Sequence, residues 1–118
     1  MTIEKRDRIR MEKIEEYCED ILLILQEINK VGFYENQNCQ KVVAFDVLQI
    51  GELVSALTDG FKENHPTIPW AEIKSVRNQI VHHYGAVNQK ILWDIACNDI
   101  PELQAFCTDV LRDVAFDM

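Results

Sequence analysis

The sequence predicts an all-α fold, a four-to-five-helix up-and-down bundle, from three observations. Only 4 glycines and 3 prolines punctuate 118 residues, so turns are few and elements long. The β-branched residues do not gather into the alternating runs that strands require. Apolar residues recur instead at spacings of three and four over several long stretches. The length suits one domain, residues 1–118, large enough for a real core. A hydrophobic fraction of 47% beside a charged fraction of 27% is a globular balance, not a disordered one.

The first helix is expected over about 3–30. Ile14, Tyr17 or Cys18, Ile21, Leu25 and Ile28 make one stripe, with Glu12, Glu16, Glu19 and Glu27 outside it. Val31-Gly32 is expected to end this helix, with glycine just past the last turn. A second helix is expected over about 37–63, with Val43, Val47, Ile50, Val54, Leu57 and Phe61 as its inner stripe. Phe45, Leu48 and Ala56 widen its apolar surface, so it must bury two sides: one against the first helix, the other as a central helix or against a second subunit. Gly51 costs about 1 kcal/mol relative to alanine inside a helix, which points to close approach of another backbone.

Residues 64–69 hold two prolines and read as a linker. A third helix opens at Trp70, just after Pro69, and carries Ile73, Val76, Ile80 and Tyr84 inward until Gly85 stops it. A shorter helix is expected over about 88–97. The last begins after Asp99-Ile100, with Pro101 near its first turn, and runs to about Phe116, with a break near Asn98.

Charge and cysteine usage narrow the function classes. The net charge of −8 argues against a broad electrostatic grip on nucleic acid. The distribution is uneven, because Lys5, Arg6, Arg8, Arg10 and Lys13 place five of the twelve basic residues within the first thirteen positions. Such an arm can bind a phosphate chain locally, or stand as a solvated helix start balanced by Glu4, Asp7 and Glu12. Cys18, Cys39, Cys97 and Cys107 are dispersed without a C-x-x-C pair, which speaks for reduced, partly buried thiols over a structural zinc. No apolar run is long enough to cross a membrane, and the charged N-terminal stretch has no signal-peptide core, so a cytoplasmic location is expected.

The chemistry concentrates in Arg77-Asn78-Gln79-Ile80-Val81-His82-His83-Tyr84. Arg77 is a permanent cation whose planar fork suits phosphate. His82 has a side chain that gives and takes protons near neutrality. Asn78 lies one helical turn before His82 and can orient it or a phosphate oxygen. His83 points about 100° away from His82 on a helix, a poor arrangement for sharing a metal ion. Each residue alone has a bland reading: a surface ion pair, a histidine near a helix end, a solvated amide, a core-edge phenol. Together, at this spacing, they do not look accidental.

Arg77, four residues, His82, one residue, Tyr84 resembles the signature of the HEPN superfamily in its HepT-like branch. Asn78 matches the second position of that signature. Gln49-Ile50-Gly51-Glu52, Trp70 and Asn98-Asp99-Ile100-Pro101-Glu102-Leu103 are similar as well, so the resemblance covers nearly the whole chain. It implies a helical homodimer acting as an endoribonuclease toxin, without metal or other cofactor. It implies RNA as substrate and, as partner, a nucleotidyltransferase antitoxin that transfers AMP from ATP to the motif tyrosine. The catalytic pair would be Arg77 and His82 with Asn78 in support, and Tyr84 the modified residue. His83 competes with His82 for the catalytic role; the spacing to Tyr84 favours His82. Arg6, Arg10 and Lys13 are candidate RNA contacts. The rival readings are a non-catalytic, nucleotide- or partner-binding subunit of a nucleotidyltransferase, and a purely structural dimeric adaptor.

Overall fold

The computed structural model describes residues 3–82 and 88–116, with side chains for 3–80 and 88–113. The described elements are helical throughout: α1 Lys5–Glu27, α2 Lys30–Glu35, α3 Gln37–Ala56, α4 Asp59–Asn64, α5 Trp70–His82, α6 Gln89–Asp94, a π-helical turn Ile95–Asp99, and α7 Ile100–Phe116. α1 packs against α3 and α7, and α3 carries α5 on another side, while α2 and α6 lie together against α3. A single apolar cluster joins them. Met11, Ile14, Cys18 and Ile21 of α1 meet Val43, Val47, Ile50 and Val54 of α3, Ile80 of α5, and Ile100, Leu103 and Cys107 of α7. The expected α1 stripe is therefore real, with Cys18 and not Tyr17 inside it, and the inner stripe of the second helix is buried in full, from Val43 to Phe61.

Three expected boundaries differ. Gly32 does not stop the first helix. α1 ends at Glu27, Ile28 is extended, and Gly32 sits within α2. Asn29 caps α2 by accepting from Gly32 N–H at 2.8 Å, and a Cβ on Gly32 would lie 2.9 Å from Ile28 Cγ1. The second helix is two. Its apolar stripe continues through Leu57 and Phe61, so periodicity alone hides the break at Leu57, but Thr58 is an N-cap that accepts from Phe61 N–H at 3.2 Å. The break near Asn98 is instead a continuous wide turn. Proline at 101 cannot donate to the carbonyl four residues back and clashes with it in a regular helix. The π turn over Ile95–Asp99 lets the chain pass from α6 to α7 without that conflict.

The joint between α3 and α4 is tied to α1. Asp7, 1% exposed, accepts from Thr58 N–H at 3.0 Å and from Thr58 Oγ1 at 2.6 Å. Arg10 stands 3.8 Å from Asp7 and donates through Nη1 to the carbonyl of Ala56, the last residue of α3, at 2.6 Å. A buried carboxylate held by two donors of Thr58, with the Arg10 cation beside it and on the C-terminus of α3, fixes α1 across a 51-residue separation. The four cysteines are free, and burial pushes the Cys18 thiol up to about 12, reinforced by Glu15 and Glu19. No helix among the described residues is long and apolar enough to cross a membrane.

Candidate active site

α5 positions the motif, and it is anchored at both described ends. At its start the Trp70 indole N–H donates to the carbonyls of Lys62 (3.2 Å) and His65 (3.0 Å). The Trp70 ring stands edge-on to Phe106 at 5.8 Å, and His65 lies between Phe61, tilted at 4.7 Å, and Phe106, edge-on at 5.3 Å. Burial in that aromatic nest lowers the pKa of His65. Further along, Ile73 and Val76 pack on the core and Ile80 is buried in it. This leaves Arg77 and Asn78 half-buried, at the margin of the bundle.

The close approach expected at Gly51 is made by Arg77. A Cβ built on Gly51 would fall 2.3 Å from Arg77 Cβ and 2.6 Å from Cγ, with the Arg77 Cα at 3.6 Å. Only glycine lets the arginine stem lie flat on α3 at this point. The next residue, Glu52, receives the guanidinium: both Nε and Nη2 of Arg77 pair with Glu52 Oε1. Nη1 donates to Asn78 Oδ1 at 2.8 Å. A guanidinium has five N–H donors. Three are engaged here, so two remain among the described residues, on Nη1 and Nη2. That is an oriented fork with its base fixed and its outer edge available to an anion.

The other predicted site residues divide. Arg77 and Asn78 are brought together. His82 is the last residue of α5, and its side chain lies outside the described residues, as do His83 and Tyr84. Arg6 is exposed and paired with Glu4 at 2.6 Å. Arg10 serves the C-terminus of α3, at Ala56, one turn beyond Glu52. Lys13 is exposed on α1. No group of three histidine, cysteine or acidic side chains among the described residues is placed to hold a metal ion.

A separate cleft of about 170 Å³ lies between α3, α5 and α7, floored by Val47, Ile50, Ile73 and Val76, with Glu72, Asp99 and Glu102 also lining it. Burial, then Glu102, Glu72 and Asp94, push the Asp99 carboxyl up. The lining is otherwise largely apolar, so the cleft offers no cation to a phosphate.

Two features had no role assigned from sequence. Glu52 is the partner of Arg77, and nothing local signals a contact 25 residues away beyond the glycine that precedes it. Asp46 is buried on α3, its Oδ2 without a hydrogen-bond partner among the described residues, and its carboxyl is pushed up to about 6 by burial and by Asp20.

A helical bundle that clamps an arginine fork at its margin, with an asparagine beside it and histidines following in sequence, defines a small all-α protein with a site suited to an anionic ligand. Comparison with known proteins places it further. The family model described as "Ribonuclease HepT-like" matches residues 14–110, and the chain belongs to that family. It is 30% identical to a protein of Caldanaerobacter subterraneus subsp. tengcongensis named as a candidate RNase, over 92% of this chain and 96% of that one. It is 32% identical to the "probable ribonuclease HepT" of Thermococcus cleftensis, over 75% of this chain and 87% of the relative. A candidate RNase of Methanocaldococcus jannaschii is 29% identical over 84% and 82%. No solved structure matches the chain significantly.

Proposed function

We propose that the chain is a metal-independent endoribonuclease that cuts RNA through the RNA's own 2′-OH, with Arg77 and His82 as the catalytic pair and Asn78 in support. The observation that carries this reading is the Arg77 fork. Its stem is seated on Gly51, its inner donors are taken by Glu52 and Asn78, and two donors are left for the scissile phosphate. Family membership supplies the substrate class. Arg77 stabilises the extra negative charge at phosphorus in the five-coordinate transition state. His82 transfers a proton at the leaving 5′ oxygen. The products are a 2′,3′-cyclic phosphate and a 5′-hydroxyl.

The reading includes a homodimer. Val42 and Phe45 are 46% and 53% exposed, and with Gln49 and Glu52 they fall on one face of α3 at heptad-like spacing. A second copy laid on this face covers two exposed apolar side chains and brings two Arg77 forks toward one cleft, which a two-fold axis would make self-complementary. Arg6 and Lys13, exposed on α1, are the candidates to extend the RNA path, and Arg10 is engaged at Ala56.

Tyr84 is the proposed site of control. A nucleotidyltransferase antitoxin would transfer AMP from ATP to its phenol oxygen, releasing pyrophosphate. The added negative charge and bulk next to the motif would repel RNA. Two measurements test the function. Purified protein should cut RNA in the presence of EDTA, and Arg77→Ala should abolish cutting without unfolding the chain. Co-expression with a cognate nucleotidyltransferase should add the mass of one or more AMP groups, lost in Tyr84→Phe. Nucleotide binding with no cleavage by the wild type would instead establish the non-catalytic partner subunit.

A further inference from the structure

The cleft between α3, α5 and α7 takes no part in the chemistry proposed above, yet it has two distinct halves. Its floor is aliphatic: Val47 and Ile50 from α3, Ile73 and Val76 from α5, Ile100 and Leu103 from α7. Its rim carries carboxylates from three elements, Glu72 on α5, Asp99 at the end of the π turn and Glu102 on α7. No lysine, arginine or histidine lines it. Among the described residues, none of these three carboxylates has a hydrogen bond or an ion pair. We propose that the cleft is a binding site for an aliphatic polyamine, a flexible methylene chain bearing two or more ammonium groups. The site stands apart from the Arg77 fork, and the inference does not depend on the ribonuclease reading.

Each half of the cleft selects one half of that ligand. Glu72 and Glu102 stand in the first turns of α5 and α7, where the helix dipole favours a carboxylate. The dipoles let three like charges share one opening with no cation of the chain between them. The repulsion is felt at Asp99, whose carboxyl is pushed up by burial, then by Glu102, Glu72 and Asp94. A bound ammonium relieves it. The floor then covers the methylenes, each contributing about fourfold in affinity when fully buried.

Other ligand classes satisfy only one half. A metal ion would leave the aliphatic floor in water, and no group of three acidic, histidine or cysteine side chains among the described residues is placed to hold one. An anion finds no positive charge in the lining. A wholly apolar ligand would press against the carboxylates and strip their water without replacing it. The volume of about 170 Å³ is small for a ring system and suits a single unbranched chain. Carboxylates on three sides of the opening meet more than one ammonium, which favours a polyamine over a monoamine.

The test is calorimetric titration of the purified chain with spermidine at about 0.1 M salt, where diffuse attraction is screened. Methyl NMR locates the site. Ethylenediamine, putrescine and cadaverine are titrated in parallel, as is magnesium chloride. The variants are Glu72→Gln/Glu102→Gln, at the rim, and Glu27→Gln, an exposed acid of α1 outside the cleft. The expected result is saturable binding of spermidine that shifts the methyls of Ile73, Val76 and Ile100. Affinity should rise with the methylene count of the diamines and fall about tenfold in the double variant, with Glu27→Gln unchanged. Magnesium should not displace the ligand at equal ionic strength. Binding that magnesium displaces, or that Glu27→Gln weakens as much as the double variant does, overturns the proposal in favour of a diffuse counterion layer. Equal affinity for short and long diamines overturns the role of the floor, and the proposal with it. Methyl shifts confined to residues outside the cleft, or no saturable binding, also overturn it.

Discussion

Arg77 and Gly51 make one structural unit. An alanine at 51 gains about 1 kcal/mol of helix propensity. Its methyl, however, would overlap the arginine stem at 2.3 Å, and both elements are continuous helix there. Overpacking of this kind costs roughly 1–3 kcal/mol, and relief requires α5 to move off α3. Gly51→Ala should therefore lower the thermal midpoint and RNA cleavage together, whereas a change at an exposed helical site such as Gln79→Ala should leave both near wild type. A thermal midpoint for Gly51→Ala at or above that of wild type would show the contact to be slack. Asp46 is a second residue with a definite prediction. Its folded carboxyl is pushed up from 3.8 to about 6 by burial and then by Asp20, so the folded chain holds a proton that the unfolded chain has released between those values. Stability from this group falls as pH rises from about 4 to about 6 and is flat above. Asp46→Asn should then stabilise by about 1–2 kcal/mol at pH 8 and by nothing measurable near pH 4, read by denaturant unfolding at the two pH values.

At the scale of elements, the helices were legible wherever an apolar stripe coincided with a real boundary signal. The start of α5 at Trp70 behind Pro69 is such a case, as is the burial of Val43 through Phe61. Expected and observed boundaries part where one stripe runs across two helices. Leu57 and Phe61 keep the period through a break, and only the cap residue Thr58 marks it; Asn29 and Asn36 likewise cap α2 and α3 where a glycine had drawn the boundary. Caps are read one residue at a time, so a strong period overrides them. The tie from Asp7 to Thr58 spans 51 residues and had no local signal at all. Thr58→Ala removes the cap of α4 and one of the donors to Asp7. The expected cost is about 2–4 kcal/mol, a typical cap plus a buried acceptor left short, measured as a shift in the urea midpoint. Thr58→Ser, which keeps the hydroxyl, should recover most of it.

At the scale of the molecule, the net charge is −8, and the acidic and basic groups around α3 are unevenly placed. Acidic groups gather at the cleft of Glu72, Asp99 and Glu102, while Arg77 and Arg10 both meet the C-terminal half of α3. The motif pointed to a candidate site, since arginine, asparagine and histidine stand within six residues at helical spacing. The sequence could not show that Glu52 shares the site, because the contact depends on how α3 and α5 cross. The proposed dimer is tested at Phe45: Phe45→Asp should convert a species of two 13.7 kDa chains into one, seen by sedimentation equilibrium, without loss of helix content. The central claim, that the Arg77 fork is the anion anchor of a metal-independent ribonuclease, is tested most directly by cleavage of RNA by purified protein in EDTA, wild type beside Arg77→Ala. Cleavage to 2′,3′-cyclic phosphate ends by wild type and loss of at least about 100-fold in the variant, with folding unchanged, are expected. Equal cleavage by the two proteins, or cleavage that stops on chelation, would contradict it.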